Sequence, residues 1–147
     1  CKQTWGFASG FGVHKNSYRF GWTYDSVSDK IIIWAYIYRN GKLFKEKLTE
    51  CNFDVEYTFT MEIKDKVTLT VGTIQKTYEV PEPKSWLLEL GFYFGGVTRA
   101  PHKMKMILKE YAQVKFYRVE TLPETGEVGS LYFVSGSENY GLWVYTG

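Results

Sequence analysis

His14 and His102 are the only histidines of this chain, and imidazole is the side chain that most readily exchanges a proton near neutral pH. His14 stands beside Lys15 and close to Arg19, a cluster able to neutralise a carboxylate. A β-elimination on a uronic acid needs such parts: a charge neutraliser, a base and, often, a tyrosine acid. Arg19, His14 and either Tyr36 or Tyr93 are the candidates for those roles. The plainer reading has His14 and His102 hydrogen-bonding loop backbone and fixing turns. The order Ala100-Pro101-His102 fits it, because Pro101 stiffens the loop before the next strand.

A second kind of chemistry, recognition without reaction, lies in Lys30-Ile-Ile-Ile-Trp-Ala-Tyr-Ile-Tyr-Arg39. Read with period two, one face carries Ile31, Ile33, Ala35 and Ile37 and is aliphatic. The other carries Ile32, Trp34, Tyr36 and Tyr38 and is aromatic with polar tips. A strand needs only one apolar face to join a sandwich core. The second face is therefore another packing surface or a binding platform. Flat aromatics stack on the C–H faces of sugar rings and lose little rotamer entropy in doing so. With Phe20 and Trp22 turned inward, Arg19 and Thr23 share that outer face. Glu89 and Tyr93 are also placed on an outer face. The candidate ligand-binding set is Trp34, Tyr36, Tyr38, Arg19, Glu89, Tyr93, His14 and His102.

Other constellations are weaker. Glu56 and Glu62 lie on one strand face beside threonines, about 20 Å apart at a rise of ~3.3 Å per residue. Retaining glycosidases hold their carboxyls about 5–5.5 Å apart, so a solvated face is the better account. The sequence carries no calcium loop, P-loop, nucleotide-binding glycine motif or serine-nucleophile elbow. Gly95-Gly96 lacks the lysine and the helix that a phosphate loop needs. Cys1 and Cys51 offer no C-x-x-C spacing, which argues against zinc. Neither metal nor cofactor is expected.

These residues must be held by strands. Hydrophobic residues make up 44% of the 147 positions, enough for one domain with a sizeable core. Twelve Tyr, ten Phe and five Trp suit strands and contact surfaces. The net charge of +2 argues against nucleic acid, whose binders need a basic field. No apolar run is long enough for a transmembrane helix. Cys1 opens the chain, as in a mature lipoprotein; lipidation, a disulfide to Cys51 and a simple truncation point all stay open.

Strand patterns recur with turn signals between them. They cover 4–8, 17–24, 30–39 and 42–48, then 55–63, 67–71 and 74–80. Further ones cover 86–94, 104–108 and 114–119, and two terminal strands cover 130–135 and 141–146. Asn40-Gly41 tolerates positive φ twice and signals a type I′ hairpin. The lysines of 42–48 suggest a protected edge. Lys103, Lys105 and Lys109 alternate on a solvent face. Pro81 and Pro83 end regular pairing. In the 86–94 strand Trp86, Leu88, Leu90, Phe92 and Phe94 are read as inward. The expected fold is all-β: a two-sheet antiparallel β-sandwich, best matched by a jelly roll.

Two segments resemble a known group. Gly12-Val-His-Lys-Asn-Ser-Tyr-Arg-Phe-Gly-Trp22 with Ile33-Trp-Ala-Tyr-Ile-Tyr-Arg-Asn-Gly41 is one. Gly91-Phe-Tyr-Phe-Gly-Gly-Val-Thr-Arg-Ala-Pro-His102 is the other. Together they resemble poorly characterised bacterial and phage domains with a concanavalin-like jelly-roll fold, over about residues 4–109. The resemblance implies a fold shared by glycan-binding modules, polysaccharide lyases and virion surface proteins, which does not choose among them. The Gln-plus-His strand motifs of jelly-roll alginate lyases are not found here.

Residues 110–147 read as a C-terminal extension packed on a single domain. Its Tyr132, Phe133, Trp143 and Tyr145 need cover of their own, so the extension is a candidate lid over Trp34 and Tyr36. The leading expectation is a non-catalytic module, extracellular, on a cell surface or virion-borne, that binds a glycan or protein partner. A structural subunit that self-assembles and a polyuronate lyase are the alternatives.

Overall fold

The computed structural model describes residues 2–80, 86–91 and 115–147. Among them there are strands and turns but no helix. The strands are β1 (Lys2–Ala8), β2 (Ser17–Asp25), β3 (Lys30–Arg39), β4 (Lys42–Cys51), β5 (Phe59–Ile63) and β6 (Lys66–Val71). They continue with β7 (Ile74–Glu79), β8 (Trp86–Leu90), β9 (Phe116–Val119), β10 (Leu131–Val134) and β11 (Gly141–Tyr145). An eight-stranded sheet runs β4-β3-β2-β1-β8-β11-β10-β9, and a three-stranded sheet runs β5-β6-β7.

The hairpin that starts this sheet follows its turn residues. Asn40 (φ 49°) and Gly41 (φ 78°) both take positive φ, and β3 and β4 close on them with Arg39 opposite Lys42. Two such residues match the twist of the flanking strands. β4 forms one edge of the large sheet. A bulge at Leu48 lets Ile33 pair with Thr49 and Trp34 with Lys47.

The small sheet packs on the aliphatic face of β3. Ile31, Ile33, Ala35 and Ile37 join Tyr18, Phe20 and Trp22 of β2 in one buried core with Val67, Leu69, Val71 and Tyr78 of the small sheet. Each of those strands turns every second side chain into this layer, which is sandwich-like packing. Phe59 meets Phe20 edge-on at 5.3 Å. Glu46 of β4 ties the two sheets at their margin, accepting from Lys76 Nζ (2.8 Å) and Tyr78 OH (2.7 Å) of β7.

The other end of the large sheet is covered from its opposite face. Leu88, Val134 and Trp143 are buried there, with Trp86, Leu90, Val119 and Leu122 against them. Leu122 belongs to the turn-rich 120–128 segment, which crosses this face. A Cβ on Gly126 would stand 2.7 Å from the Trp86 ring and 3.0 Å from Tyr145. Only a glycine lets the segment lie so close. Leu87 and Leu88, adjacent in sequence, are both buried, and alternation along β8 turns them to opposite faces of the sheet.

Several expectations are corrected by this arrangement. The sheet is not wholly antiparallel, because β9 runs parallel to β10. The 55–63 strand begins only at Phe59, and Val55 is 53% exposed. Trp86, Leu88 and Leu90 do turn to a core, but to the second one. The described part of the 110–147 extension widens the large sheet beside β8 and does not lie over β3, from which β2, β1 and β8 separate it. The expected 104–108 strand, with Lys103, Lys105 and Lys109, and the prolines Pro81 and Pro83 fall outside the described residues.

Candidate functional site

The outward face of β2, β3 and β4 gathers the aromatic row. Antiparallel register sets Arg19 opposite Tyr36, Gly21 opposite Trp34 and Thr23 opposite Ile32. On the far side it sets Tyr36 opposite Lys45 and Trp34 opposite Lys47. Directly paired residues share a face, so these side chains form one surface. Trp34, Tyr36 and Tyr38 are half-buried on it.

Each aromatic is held by a specific neighbour. Trp34 donates its indole N–H to Thr23 Oγ1 at 2.7 Å. Lys45 Nζ sits 3.9 Å above the Trp34 ring centroid, a diagonal reach across two strands that a long side chain can make. Lys45 leans away from its direct partner Tyr36, where Arg19 already lies. The Arg19 guanidinium is 5.0 Å from the Tyr36 centroid and 5.3 Å from that of Tyr38.

Arg19 is only 6% exposed. Burial lowers its pKa, and the neighbouring Tyr36 and Tyr38 phenols partly oppose that shift. Burial raises the pKa of Tyr36, and a hydrogen bond with Tyr38 raises it further. The arginine is thus a support beneath the tyrosines, not a group presented to solvent.

The loop between β1 and β2 borders this surface. His14 lies 5.0 Å from Tyr38, ring to ring. Val13 offers its carbonyl to Arg19 Nη2 at 3.5 Å, and Phe11 meets Trp143 edge-on at 5.8 Å. The hairpin tip is tied to the same loop, since Asn40 N–H donates to the Asn16 side chain at 2.7 Å and Gly41 N–H to Lys15 O at 2.9 Å.

The fold therefore brings together His14, Arg19, Trp34, Tyr36 and Tyr38, which are scattered over three chain segments. It separates Glu89. That residue pairs with Phe7 on the core face and accepts from Trp5 Nε1 at 2.9 Å. Placing Glu89 with Trp34 was an error of face: β8 enters the sheet with Leu88 and Leu90, not Glu89, on the outward side. Tyr93 and His102 lie outside the described residues. Sequence reasoning missed Lys45 as a partner of Trp34. The two-residue turn at Asn40-Gly41 was the signal, because it fixes Tyr36 opposite Lys45.

As elimination chemistry the cluster is incomplete. His14 and the tyrosines are close, but Arg19 is enclosed beneath Tyr36 and Tyr38 and cannot meet a substrate carboxylate without their displacement. Among the described residues no group of three or more His, Cys, Asp or Glu side chains gathers to hold a metal ion. No helix of the described residues is long and apolar enough to cross a membrane.

Fold and face together define an all-β, sandwich-like protein with a mixed cationic and aromatic sheet face. Comparison with protein-family models, with curated proteins and with solved structures returns no match for this chain.

Proposed function

We propose that this protein is a non-catalytic binding module of jelly-roll type, akin to the concanavalin-like domains it resembles, that takes a glycan on the outward face of β2–β4. The observation that carries this reading is the ordered row of Trp34, Tyr36 and Tyr38. Trp34 is pre-set by its hydrogen bond to Thr23, and Tyr36 and Tyr38 by Arg19. Rings already fixed cost little further entropy on binding, and their polar tips offer hydrogen bonds to hydroxyls. A glycan ligand accords with an extracellular, cell-surface or virion-borne setting.

A glycan array probed with the wild-type protein, Trp34→Ala and Tyr36→Ala tests the reading. Selective signals that both substitutions abolish support it. Silence of the wild-type protein across the array overturns it.

A polyuronate lyase is the second reading, favoured only by the approach of His14 to Tyr38 as a base and acid pair. Ultraviolet absorbance from unsaturated uronate products is its test, and a flat trace over a panel of polyuronates removes it.

A further inference from the structure

We infer that this face reads a negatively charged substituent on a saccharide ring, a carboxylate or a sulfate, and that Lys45 is the residue that meets it. The inference rests on the glycan reading and narrows its ligand class. Of the two outward lysines of β4, Lys47 is ion-paired with Glu50. Glu50 also takes Lys30 at 3.3 Å. Lys45 is exposed and holds no carboxylate among the described residues; its partner is the Trp34 ring at 3.9 Å.

The register rows around it are free of acids. One row runs Arg19–Tyr36–Lys45 and the next Gly21–Trp34–Lys47. Among the described residues the nearest outward carboxylates in register are Glu50, opposite Ile32 in the next row, and Asp25 beyond it; both are already engaged, Asp25 by Ser28 Oγ and Val27 N–H. Among the described residues the face therefore presents the positive charge of Lys45, and the carboxylate of the next row, Glu50, is already neutralised by Lys47 and Lys30.

The decisive point is an exchange of partners. A sugar ring that stacks on Trp34 must displace the Lys45 ammonium from it. A neutral sugar offers no charge to pair with the displaced ammonium. An acidic sugar does: Lys45 swings off the ring and pairs with the carboxylate or sulfate while the pyranose takes its place. The resting Lys45–Trp34 contact thus discriminates against neutral glycans and favours charged ones.

Calorimetric titration of the 147-residue protein against four probes tests this: an oligouronate, a sulfated oligosaccharide, a neutral oligosaccharide of equal length, and poly-glutamate. The expected result is binding of the oligouronate, the sulfated probe or both, weakening as salt rises. The neutral probe and the poly-glutamate should bind at least about tenfold more weakly. Lys45→Gln should lose about tenfold in affinity for the acidic probe, Lys45→Arg should keep most of it, and Lys47→Gln should change it less than about twofold. Lys45 is exposed on an edge strand, and matching thermal melts confirm that each variant folds.

Neutral binding that Lys45→Gln leaves unchanged overturns the inference and keeps the glycan reading. Poly-glutamate binding as tightly as the acidic sugars reduces the face to a charge patch and overturns both. Failure of every saccharide also overturns both.

Discussion

Gly6 and Arg19 face each other across β1 and β2, and the Arg19 side chain fills the space a Gly6 side chain would need. A Cβ on Gly6 would lie 2.6 Å from Arg19 Cγ and 2.1 Å from the Tyr18 carbonyl oxygen. The second contact is with backbone, which cannot swing aside. Gly6→Ala should therefore force β1 away from β2 and cost about 3 kcal/mol in urea unfolding. Gly12→Ala is the control: its nearest neighbour would be Lys15 Cβ at 3.6 Å, and it should stay within about 0.5 kcal/mol of wild type.

Arg19 in turn supports Tyr36 and Tyr38. Arg19→Met keeps much of the apolar stem and removes the cation, and should cost about 2 kcal/mol by urea unfolding. The Arg19 charge lowers the pKa of Tyr36 against the larger upward push of burial. Its removal should move the Tyr36 phenol to a still higher titration point, read from phenolate absorbance at alkaline pH. An unchanged tyrosine titration would show that the contact has no electrostatic content.

Cys51 is a free thiol buried in the main core, and burial raises its pKa from 9.0 to about 11. The folded state therefore keeps the proton after the unfolded state has begun to lose it. This contribution to stability is complete below pH 9 and is lost as pH rises through about 11. Burial also raises the pKa of Tyr18 from 10.0 to about 12, which extends the same loss upward. Stability should fall from about pH 9 onward, and Cys51→Ala should flatten the first part of that decline. Iodoacetamide at pH 8 should leave Cys51 unmodified in the native protein and label it on unfolding.

Glu46 behaves in the opposite sense. Hydrogen bonds from Lys76, then from Tyr78, lower its pKa. Its contribution is present above the ordinary carboxyl range and is lost as pH falls through the depressed folded value. Glu46→Gln should cost about 1 kcal/mol near neutral pH, because the carboxylate is partly exposed and water screens the pair. It should also weaken the dependence of stability on acid, seen as converging wild-type and variant melting temperatures at low pH. Equal costs at all pH values would mean that the ion pair adds nothing beyond packing.

Much of the main core was legible because side-chain alternation is a local property of extended backbone. Ile31, Ile33, Ala35 and Ile37 share a face whatever strand lies beside them, and the structure buries all four. The Asn40-Gly41 turn was equally legible, since few residue pairs accept two positive φ values. From that turn the pairing of Tyr36 with Lys45 follows by counting.

Glu89 shows where this reasoning stops. Alternation separates Leu88 and Leu90 from Glu89, but it does not say which set meets which layer when both faces of a sheet are covered at one end. The contact of Trp5 with Glu89 and of Leu88 with Trp143 depends on how β8 is slotted between β1 and β11.

What the amino-acid order determined alone was therefore the all-β class, the two faces of β3 and the hairpin that follows it. Strand order was left to the tertiary structure, and with it the fate of the aromatic face. β10 and β11 carry apolar side chains that burial on either side would satisfy. They found it under the 120–128 segment by lengthening the sheet, so the described extension covers its own strands and leaves Trp34 to Lys45. Such choices rest on pairings between residues far apart in the chain, and no local periodicity encodes them.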